Sequence, residues 1–197
     1  MDNKCENCRK FGDKLFLKGE RCMSPKCAVT RRADPPGAKK SGRRRKKSEY
    51  GLQLQEKQKA KAEYGLRERQ FRNTFVKAAK TTGATGEVLL QNLELRLDNV
   101  VYRLGWVKSR PQGRELVNHG HFKVNGKKVD IPSYQLRVKD IIEPAKIDLV
   151  KTTAVDKPVI PGWLKEKAFK AEVVALPERT DIDTPIEEQL IVEFYSR

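Results

Sequence analysis

The chain has 197 residues, and 38% of them are hydrophobic, which is enough for one or two modest cores but low for a single large enzyme domain. Its 42 lysines and arginines exceed its 26 aspartates and glutamates, for a formal net charge of +16. Because such self-repulsion opposes compact folding, the charge favours a polyanionic partner. No stretch approaches the roughly 18 apolar residues of a membrane span, so we expect a cytoplasmic protein with no membrane partner.

All four cysteines lie near the start of the chain in two short pairs, Cys5 with Cys8 and Cys22 with Cys27. Two such pairs separated by a loop are the spacing of a tetrahedral site with four thiolate ligands, and we interpret them as a structural zinc site. Four sulfur ligands leave no open position for a catalytic water. An iron–sulfur cluster needs the same thiolates and remains an alternative. Two disulfides are disfavoured, because no secretion signal is visible.

A basic segment follows the cysteines. Pro35, Pro36, Gly37 and Gly42 oppose a regular helix or strand there. A solvated linker is one interpretation, but a linker needs no such density of positive charge, whereas neutralising phosphates does. The predicted phosphate contacts in this segment are Lys39, Lys40, Arg43, Arg44, Arg45, Lys46 and Lys47.

Two helical patterns cover residues 48–104. In residues 48–80 the pattern is mostly polar, and Gly65 is expected to separate two helices. The second of these helices has a predicted apolar face made of Phe71, Phe75, Val76 and Ala79.

The strongest helical pattern in the chain follows a break at residues 81–87. Its apolar face is formed by Leu93, Leu97, Val100, Val101 and Leu104. Arg96 and Arg103 fall on a different face of the same predicted helix. We therefore expect both arginines to project together, away from the core, as contacts for phosphate.

A second, shorter helix is predicted to begin at Ser109. Ser109 and Gln112 have the spacing of a capping box, and Gly120 is well placed to end the helix. Arg110 and Arg114 share a face that differs from the predicted packing face. We expect both arginines to reach solvent and contact phosphate.

A β-hairpin is predicted over residues 121–131, because Asn125 and Gly126 supply the two positive φ angles of a type I′ turn. This turn pairs Lys123 with Lys128 on the outer face, an arrangement that costs stability unless an anion lies across them. The chain's two histidines, next to the hairpin, fit a capping or phosphate-contacting role better than acid–base catalysis. The predicted phosphate contacts here are His121, Lys123, Lys127 and Lys128.

The segments RLDNVVYRLGW and SRPQGRELVNHGHFKVNGKKVDIPSYQLRVKD together resemble the small αα-β RNA-binding module named after the fourth protein of the small ribosomal subunit. The cysteine pairs and the segments TGATGEVLLQNLELRLDN and EEQLIVEFYSR are similar to the bacterial form of that protein family, so the resemblance covers nearly the whole chain. It implies an α+β fold with a helical N-terminal domain and four-cysteine metal knot at residues 1–92. The RNA-binding module with a small antiparallel sheet would be inserted at residues 93–184, and the tail 185–197 would pack on the first domain.

The resemblance also implies a function. The chain would be a non-enzymatic, structural constituent of the small ribosomal subunit that binds its rRNA directly and early in assembly. It would line the channel through which mRNA enters, where Arg43 and Lys46 match the family's basic residues, and would contribute to decoding accuracy. Residues 152–197 hold nine acidic and six basic groups, which suits a surface facing neighbouring small-subunit proteins.

Two other classes of protein fit less well. Similar αα-β modules are attached to RNA-modifying enzymes, but those enzymes need a separate catalytic domain, for which too few residues remain. A zinc-dependent DNA-binding regulator would need a recognition helix for the major groove and usually a dimer. Arginine-bearing helices that pack on a hairpin suit shaped RNA better.

Overall fold

A computed structural model describes residues 4–32, 34–37, 46–155 and 159–197. The chain divides into two compact units, a first unit of residues 1–72 with 185–197 and a second unit of residues 73–184. In the described ranges the first unit is helical and the second carries an antiparallel sheet, which gives the expected α+β class. The sequence places the domain border between residues 92 and 93, whereas the two compact units meet between residues 72 and 73. The sequence-based border stays a prediction. In these described ranges, no helix has the length and apolar character needed to cross a membrane.

The helices of the described residues are α1 (Lys4–Phe11), α2 (Glu20–Met23), α3 (Ala28–Arg31), α4 (Glu49–Glu63), α5 (Glu68–Ala79), α6 (Thr85–Glu94), α7 (Leu97–Arg103), α8 (Arg110–Asn118), α9 (Ile147–Thr153) and α10 (Glu188–Tyr195). The strands are β1 (Phe122–Val124), β2 (Lys127–Val129), β3 (Ile141–Pro144), β4 (Leu164–Lys167) and β5 (Lys170–Val173).

The apolar face predicted for α5 is correct in part. Phe71 and Phe75 are buried, but Val76 is 44% exposed and Ala79 is exposed as well. Ala78 is fully buried instead. Positions 71, 75 and 78 follow the i, i+4, i+7 spacing, so the stripe that packs is narrower than the one we predicted.

Helix α10 packs against α4 within the first unit. Gln53 of α4 donates from Nε2 to Glu193 of α10 over 3.1 Å. Lys57 is only 5% exposed. Its ammonium lies 4.5 Å from the ring centroid of Phe194 and 2.6 Å from Oε1 of Glu68. The ion pair and the aromatic ring satisfy a charge that would otherwise be costly to bury.

The described residues of the second unit form a five-stranded antiparallel sheet with the strand order β2-β1-β3-β5-β4. Its core includes Trp106 and Phe122, whose rings stack with centroids 6.0 Å apart. Helices α7 and α8 pack closely, and a β-carbon at Gly113 would lie 2.8 Å from the carbonyl oxygen of Asp98. The close approach of the two helices therefore requires glycine at this position.

The predicted start and end of α8 and the register of the hairpin are confirmed, but Gln112 accepts from the Lys108 amide over 2.9 Å and not from the Ser109 amide, as a capping box would require. The Ser109 side chain accepts a hydrogen bond from the Gln112 amide, and Gly120 follows the helix with φ +68°. Phe122, Lys123 and Val124 pair with Val129, Lys128 and Lys127, respectively. Asn125 and Gly126 have φ +51° and +77°, as a type I′ turn requires.

The single long helix predicted after residue 87 is wrong, because the chain breaks between α6 and α7. The Leu97 amide donates to the carbonyl of Tyr134 over 3.0 Å, and the Asp98 amide donates to that of Pro132 over 3.3 Å. A segment distant in sequence thus satisfies the backbone groups that a continuous helix would have used. Arg96 lies in the break and forms an isolated β-bridge with Gln135.

Candidate nucleic-acid interface

The outer face of the hairpin presents three of the predicted phosphate contacts. His121 and Lys123 flank the buried Phe122, so their side chains lie on the opposite face of β1 from the core. Lys128 is directly opposite Lys123, and its side chain extends over Gly120 at the end of α8.

Lys127, the fourth predicted contact, is also exposed. It pairs with the buried Val124, so it lies on the other face at the tip of the hairpin. The cationic surface therefore extends around the hairpin edge and is not confined to one face.

An acidic residue of β3, Glu143, lies next to the lysine pair, and its carboxylate is 3.4 Å from the ammonium of Lys170. Strand β3 also pairs with β1 and places Glu143 directly opposite Lys123. This acidic neighbour adds a negative charge near the lysine pair that the sequence-based prediction did not include. The pairing of β1 with β3 joins segments about 20 residues apart in the sequence, so no turn signal indicated it.

The sequence predicted that Arg96 and Arg103 project together into solvent, but in the structure both side chains point inward. Arg103 donates from Nε and Nη2 to the Glu94 carboxylate, both over 2.8 Å, and the Glu94 side chain is 1% exposed. Arg96 donates two hydrogen bonds to the Asp98 carboxylate, over 3.1 and 2.8 Å. Burial raises the pKa of Asp98, although the charge of Arg96 acts against this rise. Each guanidinium neutralises a buried carboxylate, which is why both point inward.

Arg110 is also buried, against expectation, with 9% exposure. Its Nε donates to Oδ1 of Asn99 over 2.8 Å, and its guanidinium lies 4.7 Å from the ring centroid of Tyr102. Arg114, in contrast, has a side chain that is 34% exposed, with Nη1 3.6 Å from Oδ2 of Asp98. Of the four arginines predicted in this region, Arg114 thus has the most exposed side chain.

Sequence reasoning missed the polar network that links α6, α7 and α8. Asn99 donates from Nδ2 to Oε2 of Glu94 over 2.7 Å and accepts from Arg110. The signal that could have revealed it is a carboxylate at Glu94, inside a strongly apolar helical pattern. A buried carboxylate needs cations, and arginines nearby in the sequence supply them.

The basic segment is described in part. Lys46 and Lys47 are exposed, and the Lys47 ammonium donates to Oε1 of Gln55. The other predicted contacts of this segment lie outside the described residues: Lys39, Lys40, Arg43, Arg44 and Arg45.

The four cysteines line one small cavity in the first unit, and none forms a disulfide. Burial raises the pKa of the Cys8 thiol, and the three other cysteines add to the rise. Burial also acts to raise the pKa of Cys27, but hydrogen bonds from nearby backbone amides outweigh it and lower that pKa. The Lys18 amide donates to Sγ of Cys22 over 3.4 Å. In the described part of the chain, no three His, Cys, Asp or Glu side chains are grouped as a metal site, so the expected metal knot is not shown.

Comparisons with known proteins identify the family. A model of the ribosomal protein S4/S9 N-terminal domain matches residues 1–94, and a model of the S4 domain matches residues 95–142. The small ribosomal subunit protein uS4 of Syntrophomonas wolfei is 55% identical over 205 residues, covering 100% of this chain and 98% of the relative. The uS4 proteins of Dictyoglomus turgidum and Gloeobacter violaceus are 52% and 54% identical, each covering 98% of this chain and 96% of the relative. The chain therefore belongs to the uS4 family of small ribosomal subunit proteins.

Proposed function

We propose that this protein is a structural constituent of the small ribosomal subunit that binds small-subunit rRNA directly and early in assembly. The observation that carries the proposal is the division of charge in the second unit. The carboxylates of Glu94 and Asp98 are buried with arginines, whereas Lys127 and Lys128 remain exposed on the hairpin. Such a surface can neutralise phosphates and release counterions. A non-enzymatic role follows from the family.

Chemical footprinting of the purified protein on small-subunit rRNA tests this function. We expect a discrete protected region and an affinity that falls steeply with salt, as expected for about 6–10 phosphate contacts. Duplex DNA at the same salt concentration is the control, and it should bind more weakly because the fold suits shaped RNA. Equal affinity for both nucleic acids would reject recognition of rRNA in favour of general polyanion binding.

We also propose that the basic segment lines the channel through which mRNA enters. Lys46 is exposed, which supports a role in contacting RNA, while Arg43 lies outside the described residues. The test uses subunits reconstituted with Lys46→Glu and measures their progress through a structured mRNA. Lys146→Glu, at an exposed lysine of the second unit, is the control for charge. Slower progress with Lys46→Glu alone supports the assignment, and equal rates contradict it.

A contribution to decoding accuracy through neighbouring small-subunit proteins would use the acidic C-terminal region. Some of its carboxylates form hydrogen bonds within the protein: Glu193 accepts from Gln53, and Glu166 accepts from Trp106. Glu172 and Asp183 are exposed and are better candidates for contact with another protein. Misreading by ribosomes carrying Asp183→Lys, compared with parent ribosomes, tests the proposal; an unchanged error frequency would oppose it.

The cysteine cavity is proposed to hold one zinc ion through Cys5, Cys8, Cys22 and Cys27. Four thiols around one cavity, with backbone amides directed at sulfur, are a donor set that fits zinc. Bound zinc would fix the loops of the first unit and supply no catalysis. Elemental analysis should find one zinc per chain in the parent and less in Cys22→Ser. Iron with sulfide would instead identify a cluster, and absence of any metal would reject the site.

A further inference from the structure

A cleft in the first unit lies between the end of α1 and one face of α4. Its volume is about 720 Å³, within the range of pockets that hold small molecules. The walls come from three separate segments, represented by Phe11, Pro35 and Leu54. Lys47 and Gln55, whose hydrogen bond is described above, also belong to the lining.

Among the described residues that line the cleft, the charged groups are cationic. Arg9, Lys10 and Lys47 contribute to its walls, and no aspartate or glutamate is among the described lining residues. Arg9 uses Nε to donate to the Asp34 carbonyl over 2.9 Å, which orients the guanidinium. This arrangement favours a ligand with an anionic group, such as a phosphate.

The floor of the cleft is apolar. Phe11 is buried, and Leu54 is half-buried beside it in the lining. Gln58 adds an amide that can both donate and accept a hydrogen bond. A ligand that combines a flat apolar ring, polar ring edges and a phosphate would match all three elements, and a nucleotide has this combination.

We propose that the cleft binds one unpaired nucleotide of RNA, with its phosphate near Arg9 and Lys47 and its base over Phe11 and Leu54. A base inside a duplex is stacked and paired, so only an unpaired base can enter such a cleft. The inference depends on the RNA-binding function proposed above and adds a site that recognises single-stranded RNA. Gln58 would contact the edge of the base.

The test compares Gln58→Glu with the parent, using full-length protein and fluorescence anisotropy at one salt concentration. The probes are a single-stranded oligoribonucleotide of mixed sequence, about ten nucleotides long, and a blunt RNA duplex of the same length. Loss of the base contact should weaken single-strand binding about tenfold and leave duplex binding within about twofold. Gln70→Glu makes the same change of charge at an exposed position of α5, outside the cleft lining, and should have little effect on either probe.

A second variant removes the floor without changing the charge. Leu54→Ala, like Gln58→Glu, should weaken binding of the single-stranded probe. Its circular dichroism spectrum shows whether the first unit remains folded. The cleft proposal would be overturned in favour of a net-charge effect if Gln58→Glu and Gln70→Glu lost the same affinity for the single-stranded probe, or if Gln58→Glu lost the same affinity for both probes. Parent protein that binds neither rRNA nor the probes would reject RNA binding itself. Parent protein that binds both probes, with cleft variants that behave like it, would reject the cleft alone.

Discussion

Arg103 donates two hydrogen bonds of 2.8 Å to the carboxylate of Glu94, one from Nε and one from Nη2. Both side chains are largely buried, and Asn99 donates to the same carboxylate. The pair fixes the end of α6 against the end of α7. An arginine that sequence patterns assigned to RNA contact therefore stabilises the second unit.

We predict that Arg103→Met destabilises the second unit by about 3–5 kcal/mol, because it removes the guanidinium that donates two hydrogen bonds to the buried Glu94 carboxylate. Hydrogen exchange of amides in α7 and β1 reports the free energy of opening of this unit. Arg114→Met is the control, since its guanidinium is partly exposed and 3.6 Å from Asp98, and should cost at most about 1 kcal/mol. Similar protection of the amides in Arg103→Met and the parent would show that the pair does not stabilise the unit.

The hairpin prediction concerns Lys128→Gln. We expect the variant to bind small-subunit rRNA more weakly and to reduce the salt slope by about one unit, because one phosphate contact is lost. The free protein should keep its stability or gain slightly, since the change removes the repulsion between the directly opposed Lys123 and Lys128. Lys165→Gln, at an exposed position of β4, is the matched control and should bind like the parent. An unchanged salt slope for Lys128→Gln would remove the hairpin from the RNA surface.

Stability of the first unit should depend on the protonation of Glu68. Burial acts to raise the pKa of Glu68, but hydrogen bonds from Lys57 and Lys61 outweigh it and lower that pKa. Because the pKa is lower in the folded state, the stabilisation is fully present above the ordinary value of 4.5 and is lost as the pH falls below it, through the lower folded-state value. Thermal unfolding of parent and Glu68→Gln across this fall in pH measures the effect.

Glu68→Gln should be less stable than the parent at neutral pH and should lose less stability in acid. Glu187→Gln, at another exposed carboxylate of the first unit, is expected to follow the pH dependence of the parent. If Glu68→Gln and the parent lose the same stability, the acid sensitivity of this unit comes from other carboxylates.

The turn between β4 and β5 holds two residues in an unfavourable backbone conformation. Ala168 and Phe169 have φ +52° and +61°, a region that asparagine and glycine adopt more readily. Ala168→Asn should therefore stabilise the second unit by roughly 1 kcal/mol, measured by denaturant unfolding. Ala175→Asn, at an exposed residue without positive φ, should be neutral. A loss of stability in Ala168→Asn would indicate that the alanine methyl group makes contacts that outweigh the backbone strain.

Local signals predicted local structure well. The Ser109 cap, the Gly120 stop and the register set by Asn125 and Gly126 depend on neighbouring residues, and the structure agrees with each of them. The break at Arg96 could not be predicted in this way, because the groups that satisfy its backbone neighbours come from around residue 134.

Helical periodicity also misled the prediction of the site. Periodicity identifies which residues share a face of a helix. It does not show whether an arginine on that face will bind a buried polar group of a neighbouring helix. Arg110 was thus assigned to solvent, although its partner Asn99 lies on the preceding helix. The cleft could not be predicted from the sequence either, because Arg9, Lys47 and Leu54 come together only when α1 packs on α4.

The packing of α10 on α4 has a consequence for the order in which the chain can fold during synthesis. The second unit, residues 73–184, is continuous, so all its strands are available before Glu188–Tyr195 has been made. Lys57 is translated early, but the ring of Phe194 that lies 4.5 Å from its ammonium is added 137 residues later. Residues 1–72 therefore lack their packing partner α10 at the time when the whole second unit has been synthesised. Protection of α4 from proteolysis should therefore appear only after α10 has been synthesised and is free to pack on it.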